Sequence, residues 1–90
     1  MVVSEVVIQN QYGLHARPSA AFVELASNFE SDVTLKKGNV EVNGKSIMGL
    51  LMLAAEKGSK VTLTVTGNDE TDAAETLANF LNKQMDYKDH

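Results

Sequence analysis

Residues 61–66 read Val-Thr-Leu-Thr-Val-Thr, a strict alternation of apolar and polar side chains. Side chains on a strand point alternately to its two faces, so this stretch predicts a strand with one buried and one solvent-facing side. A sheet that is covered on a single face contains strands of this kind. The stretch therefore predicts one antiparallel or mixed sheet with helices on one of its faces.

The segments on either side of this strand supply the other elements of an α+β domain. Strand-like runs at residues 2–8, 32–36 and 40–43 predict three more strands, the last two joined as a hairpin by a Lys-Gly-Asn turn. Apolar residues at helical spacing predict helices over residues 15–28, 47–56 and 71–84. The order is β-α-β-β-α-β-α in a single domain of residues 1–85. Residues 86–90 resemble the start of a common acidic epitope tag and are left out of the fold prediction.

The composition excludes several classes of function. The 90 residues contain no cysteine, which excludes disulfides and zinc–thiolate sites and fits a reducing cytoplasm. The net charge of −4 argues against a nucleic-acid partner, which would need a basic face. No apolar run approaches the roughly 20 residues that span a bilayer, and the N-terminus lacks the pattern of an export signal.

Residues 12–18 read Tyr-Gly-Leu-His-Ala-Arg-Pro and combine three features of a phosphoryl-binding site. His15 supplies a nucleophilic imidazole. Pro18 suits the first turn of a helix, where backbone N–H groups favour a bound anion. Arg17 has a planar fork of donors that matches phosphoryl oxygens, although Pro18 disfavours helical backbone at Arg17 and predicts a guanidinium that rests away from His15. A histidine that only caps the helix is the alternative.

This run resembles the active-site signature of the HPr family, the histidine phosphocarriers of the phosphoenolpyruvate:sugar phosphotransferase system. Residues 45–49, Lys-Ser-Ile-Met-Gly, are similar to the regulatory-serine segment of that family, and the element order matches over residues 1–85. The resemblance implies an open-faced β-sandwich with four antiparallel strands and three helices on one face. It implies that His15 accepts a phosphoryl group on Nδ1 from enzyme I and passes it to enzyme IIA, with Arg17 stabilising the group. It further implies a monomeric carrier protein in the cytoplasm, without enzymatic activity of its own, cofactor or metal.

The second predicted helix is apolar on every side, although a helix on one sheet buries only one face. Leu50, Leu53 and Ala54 are its expected buried stripe, and Gly58 is the expected C′ residue. The remaining apolar side chains predict a docking surface beside the first helix, unless the helix is fully wrapped. Under the resemblance, enzyme I and enzyme IIA bind at Ala20, Glu24, Ile47, Met48, Gly49, Leu51 and Met52.

Ser46 precedes this helix and has two interpretations. It is a preferred residue for an N-cap. The resemblance makes it also a regulatory site for HPr kinase/phosphorylase. Phosphate there adds roughly −1.5 to −2 charges at the docking surface, which weakens binding of an acidic partner without changing the fold.

Other functions stay open beside the sugar carrier. Within the family, a carrier of the nitrogen-linked (NPr) branch would use the same His15 chemistry. A purely regulatory module acting through Ser46 is a further alternative, although family members of that kind have lost the histidine. A hydrolase with His15 as general base is disfavoured, because the sequence has no paired nucleophile.

Overall fold

The chain forms the predicted succession of four strands and three helices. The computed structural model describes residues 1–9 and 13–82. Its strands are β1 (Val2–Val7), β2 (Asp32–Lys37), β3 (Val40–Asn43) and β4 (Lys60–Thr66), and its helices are α1 (Ala16–Ala26), α2 (Ile47–Leu53) and α3 (Glu70–Asn82). The predicted end of the third helix at residue 84, and the tail of residues 86–90, lie outside the described residues.

The strands form one antiparallel sheet in the order β1-β4-β2-β3. The alternating stretch is β4, a central strand, and its register pairs Val65 with Val33 and Leu63 with Leu35. These four side chains are buried on the helix-covered face. The threonines of β4 alternate with them on the opposite face, as the sequence predicts.

The three helices cover the face of the sheet that carries Val33, Leu35, Leu63 and Val65. α3 packs on β1 and β4, α2 packs on β3 and β2, and α1 rests against α2 and α3. Phe22 of α1 is fully buried and meets Phe80 of α3 edge to face, with ring centroids 6.0 Å apart. None of the described helices is long and apolar enough to cross a membrane.

α2 ends earlier than the sequence predicts. It stops at Leu53, and Ala54 takes the left-handed conformation that usually falls to glycine, with φ at +53°. Ala54 is therefore exposed rather than part of the buried stripe, and Ala55 is buried instead. The Lys37 Nζ donates to the Ala54 carbonyl at 3.0 Å, so a contact from β2 helps to fix a conformation that alanine alone disfavours. The prediction of Gly58 as the C′ residue was wrong.

The backbone at Arg17 also differs from the prediction. Arg17 lies inside α1, with helical backbone, although the residue before a proline usually avoids it. Pro18 and Ser19 are both buried in the first turns of α1. Tertiary packing of these two residues outweighs the local preference at Arg17.

Candidate phosphoryl-acceptor site at the start of helix α1

His15 is the N-cap residue of α1. Its backbone is extended, with φ −89° and ψ −168°, and its carbonyl accepts from the Ser19 N–H at 3.0 Å. The side chain makes no capping hydrogen bond. A capping side chain usually accepts from the second or third helical N–H, and the third helical residue here is Pro18, which has no N–H. The helix start therefore fixes the His15 backbone without requiring its imidazole as a cap.

The segment before His15 is held against the end of α2. The Leu14 N–H donates to the Ala55 carbonyl at 2.8 Å. Gly13 has φ +71°, and a Cβ added there would lie 2.3 Å from the same carbonyl oxygen and 2.8 Å from the Cα of Glu56. Only glycine fits this close approach. The turn that ends α2 thus sets where the chain enters α1.

The imidazole of His15 is half-buried, and its two nitrogens are not equivalent. Nε2 is shielded from solvent. Arg17 lies two residues further along and is exposed at the same helix start. The backbone N–H groups of the first helical turn point out of that end of α1. One helix start therefore combines an imidazole, a guanidinium and a favourable helix dipole.

The predicted docking surface is largely exposed. Met48 and Met52 retain 67% and 72% of their accessible surface, and Ile47 and Leu51 are also exposed. Leu50 and Leu53 are buried, so α2 is not fully wrapped. Gly49 is half-buried and faces β3, where an added Cβ would lie 3.2 Å from both the Asn43 carbonyl oxygen and the Val42 Cβ.

The first helix contributes an exposed row next to α2. Arg17, Ala20 and Glu24 are exposed and follow each other at spacings of three and four, which places them on one side of α1. α1 and α2 pack against each other. The apolar side chains of α2 and this row therefore belong to neighbouring helices.

Ser46 caps the first turn of α2, whereas the segment before His15 contacts the other end of this helix. Its Oγ accepts from the Gly49 N–H at 3.1 Å, and its carbonyl accepts from the Leu50 N–H at 3.1 Å. The seven residues of α2 span roughly 10 Å, because each helical residue rises about 1.5 Å. The exposed side chains of α2 thus lie between the Ser46 end and the turn that holds the His15 segment.

Two supports of this site have no clear signal in the sequence. Lys37 approaches the end of α2 from a neighbouring strand, a contact that depends on the folded sheet. Ser19 is completely buried, and its Oγ donates to the Leu14 carbonyl at 3.2 Å. A serine next to the apolar stripe of a helix indicates such a buried bond only weakly, since serine in that position is also compatible with a half-exposed surface.

Comparison with known proteins matches this arrangement to one family. The family model described as "PTS HPr component phosphorylation site" matches residues 2–83. The chain belongs to the HPr family of phosphocarriers. HPr-family proteins carry a phosphoryl group and are not themselves enzymes.

The relatives include both phosphocarrier HPr proteins and HPr-like Crh proteins. The chain is 46% identical to the HPr-like protein Crh of Bacillus subtilis, over 94% of this chain and 100% of that protein. It is also 46% identical to the phosphocarrier protein HPr of Neisseria meningitidis serogroup A, over 91% of this chain and 92% of that protein. A crystal structure of HPr from Bacillus anthracis superposes with a TM-score of 0.86 at 41% identity, covering 89% of this chain and 95% of that one. The fold is therefore HPr-like, as the sequence predicts.

Proposed function

We propose that this HPr-family carrier accepts a phosphoryl group on His15 from enzyme I and passes it to an enzyme IIA domain. The observation that carries the proposal is the helix start of α1, where the N-cap residue His15 and the exposed Arg17 of the first turn lie together. The half-buried ring lies at the surface, which an exchange between two partner proteins requires. The proposal also makes the carrier a cytoplasmic monomer and assigns it to the sugar-linked phosphotransferase system.

The chemistry follows from which ring nitrogen is accessible. Since Nε2 is shielded, Nδ1 is the nitrogen proposed to attack phosphorus. Its lone pair forms the P–N bond while the bond between phosphorus and the donor breaks, and that electron pair returns to enzyme I. Attack by Nδ1 requires the ring proton on Nε2. The reverse of this step delivers the group to enzyme IIA.

Arg17 and the helix start would stabilise the transferred group only moderately. The guanidinium of Arg17 supplies paired donors for phosphoryl oxygens. An exposed helix N-terminus favours an anion by about 0.3–1 kcal/mol. A carrier has to release its group to a second partner, so moderate stabilisation suits this function better than tight binding.

The exposed side chains on α2 are the proposed docking surface for enzyme I and enzyme IIA. Ile47, Met48, Leu51 and Met52 form an apolar area, and methionine adapts to differently shaped partners. Ala20 and Glu24 extend the area onto α1, and Gly49 lets α2 approach β3 closely.

The carrier role is tested by mass spectrometry of the intact chain after incubation with phosphoenolpyruvate and a catalytic amount of enzyme I. We expect one phosphate adduct that brief acid treatment removes, since a P–N bond is acid-labile. The adduct should be absent in His15→Ala and present in a variant of the other histidine, His90→Ala. A native chain that remains unmodified under these conditions would overturn the proposal.

Ser46 is the proposed regulatory site, a target for HPr kinase/phosphorylase. Aspartate and asparagine cap a helix as well as serine does, so Ser46→Asp and Ser46→Asn form a matched pair that differs in charge. We expect Ser46→Asp to slow phosphoryl uptake from enzyme I roughly ten-fold or more, because it adds negative charge at the docking surface. Equal rates for the two variants would contradict this regulatory role.

A role in catabolite regulation is the second candidate, because Crh relatives are 45–46% identical to this chain. The solved Bacillus subtilis Crh is described as a catabolite repression protein with a swapped dimer. A chain that acts only in this way would gain an acid-stable adduct at Ser46 with the kinase and none at His15 with enzyme I. The NPr branch would instead show His15 phosphorylation with its own nitrogen-linked enzyme I and not with the sugar-linked one. Sedimentation of the native chain distinguishes the proposed monomer from a dimer.

A further inference from the structure

The buried serine of α1 is bonded to both peptide groups that flank His15. The Ser19 Oγ donates to the Leu14 carbonyl at 3.2 Å, and the Ser19 N–H donates to the His15 carbonyl at 3.0 Å. The second bond is the ordinary first bond of a helix. The first joins a side chain to a residue five positions earlier, outside the helix, and helix formation does not require it.

These two carbonyls bear on the direction in which the His15 side chain leaves the backbone. The Leu14 carbonyl belongs to the peptide plane before the His15 Cα, and the His15 carbonyl belongs to the plane after it. When both planes are fixed, φ and ψ of His15 are fixed, and so is the direction of its Cα–Cβ bond. The Leu14 N–H lies in the preceding peptide plane and is bound to the Ala55 carbonyl at 2.8 Å, which ties the other side of Leu14 to the body of the domain.

The environment of the serine makes this bond persistent. Ser19 has no accessible surface, so water does not compete for its hydroxyl. A buried hydroxyl that loses its acceptor is left unsatisfied, which disfavours any movement of the Leu14 carbonyl away from it. Ser19 therefore resists rotation of the Leu14–His15 peptide, the motion that would swing the imidazole away from its position at the helix start.

We propose that Ser19 is a positioning residue for phosphoryl transfer, which holds the peptide planes on both sides of His15 so that the ring meets the incoming phosphoryl group in line. The inference rests on the proposed role of His15 as acceptor. Ser19 itself does not touch the phosphoryl group, since it is buried. Its effect should therefore appear in the transfer step and not in the binding of enzyme I, whose proposed docking surface on α2 it leaves unchanged.

The test compares Ser19→Ala with Ser31→Ala. Both serines are buried and donate a hydrogen bond from Oγ, but Ser31 bonds Asp69 at the start of α3 and has no bond to the His15 segment. Steady-state phosphorylation by enzyme I, well below the unfolding temperature, should give Ser19→Ala a kcat lowered roughly three- to ten-fold, the range expected for one lost hydrogen bond, with KM unchanged. Ser31→Ala should match the native chain in both constants.

A direct structural readout accompanies the kinetics. The three-bond HN–Hα coupling of His15 reports φ, and it should move towards an averaged value in Ser19→Ala but stay native in Ser31→Ala. Ser19→Cys, which keeps a weaker donor at this position, should fall between the native chain and Ser19→Ala. If Ser19→Ala keeps the native kcat and the native coupling, the positioning role is overturned. A native chain that takes no phosphoryl group from enzyme I would instead overturn the His15 assignment on which this inference rests.

Discussion

The helix starts of α1 and α2 use their N-cap residues in opposite ways. At α2 the third helical residue is Gly49, and its N–H donates to the Ser46 side chain. At α1 the third helical residue is Pro18, which has no N–H, and the His15 side chain makes no cap. The Ser46 side chain thus stabilises its own helix. His15 occupies the N-cap position of α1, but its side chain does not cap the helix.

The difference shows how each end is held in place. At the α2 start the Ser46 side chain is engaged locally, by a bond between residues three positions apart, although Gly44 and Lys45 before it bond Val33 and Phe29. The α1 start is set from a distance, because Leu14 bonds Ala55 and Gly13 lies against the same carbonyl. This outside support matters at α1, because the His15 side chain contributes no cap hydrogen bond. Substitutions remote from His15 should therefore disturb it, while Ser46 should respond chiefly to changes in its own turn.

The largest effect is expected from Gly13→Ala. The added Cβ would lie 2.3 Å from the Ala55 carbonyl oxygen, and the backbone has φ +71°. Strain at positive φ together with displacement of the α2 end should lower the free energy of unfolding by about 2–4 kcal/mol. Uptake of phosphate from enzyme I should fall with it, because the entry to His15 moves. Urea denaturation measures the first effect, and the mass assay measures the second.

Gly38→Ala is the matched control for this variant. Gly38 has φ +60°, but nothing lies within 4 Å of an added Cβ. Its replacement should lower the free energy of unfolding by only about 1 kcal/mol, from backbone strain alone, and leave phosphoryl uptake unchanged. Equal losses in the two variants would mean that the contact with Ala55 does not support the His15 segment.

A smaller effect is expected when the local cap is removed. Ser46→Ala takes away the acceptor for the Gly49 N–H and should lower the free energy of unfolding by about 1 kcal/mol. Ser46→Gly should lower the free energy of unfolding by only about a few tenths of a kcal/mol, because water can then reach the freed N–H. Both variants should keep the rate of phosphoryl uptake, since neither adds charge to the docking surface. A clear loss of uptake in Ser46→Ala would mean that the cap also positions the docking surface.

Residues whose environment is local could be predicted from the sequence, and those fixed by tertiary contacts could not. The alternation of β4 and the Ser46 cap are set by neighbours along the chain, so both predictions were confirmed. The sequence predicts the end of α2 at Gly58, because glycine is the usual residue at such an end. The helix ends instead at Leu53, where Lys37 from another strand bonds the Ala54 carbonyl. Helical backbone at Arg17 depends in the same way on the burial of its neighbours.

The same division applies to the candidate site. The motif around His15 predicts His15 and Arg17 as the side chains that do the chemistry, and these roles stay predictions. Met48 and Met52 are expected on an exposed face and lie there. Which residues hold His15 in place was not predicted, because Ser19 and Ala55 act through backbone carbonyls that carry no sequence pattern. The docking role of the exposed face stays a prediction.

The start of α3 is a third helix start to compare with those of α1 and α2, and substitution there should have the smallest effect on stability. Asp69 precedes this helix, and its carboxylate accepts from the Ser31 hydroxyl and from the N–H groups of Glu30 and Ser31, the latter two at 2.9 and 3.0 Å. These bonds lower the pKa of Asp69, chiefly through the Ser31 hydroxyl and then the Glu30 N–H. Its side chain therefore neither caps its own helix nor contacts the His15 segment, but holds the loop that leads into β2.

The pH dependence of this contact has a definite sign. A carboxyl whose pKa is lowered on folding stabilises the folded state fully above the unfolded pKa of about 3.9, and this contribution is lost as the pH falls through the lower folded pKa. Asp69→Asn should therefore flatten the decline of unfolding free energy with acid, as measured by urea titration between about pH 5 and pH 2. The pKa of Glu70 is lowered as well, chiefly by the Met1 amino group, so Glu70 contributes to the pH dependence with the same sign. Glu70→Gln is therefore the control that separates the Glu70 contribution from that of Asp69. Phosphoryl uptake at neutral pH should be native in both variants, since neither residue contacts the α1 start. A loss of uptake in Asp69→Asn would instead connect the loop before β2 to His15, and the support of the α1 start would then extend beyond its contact with the end of α2.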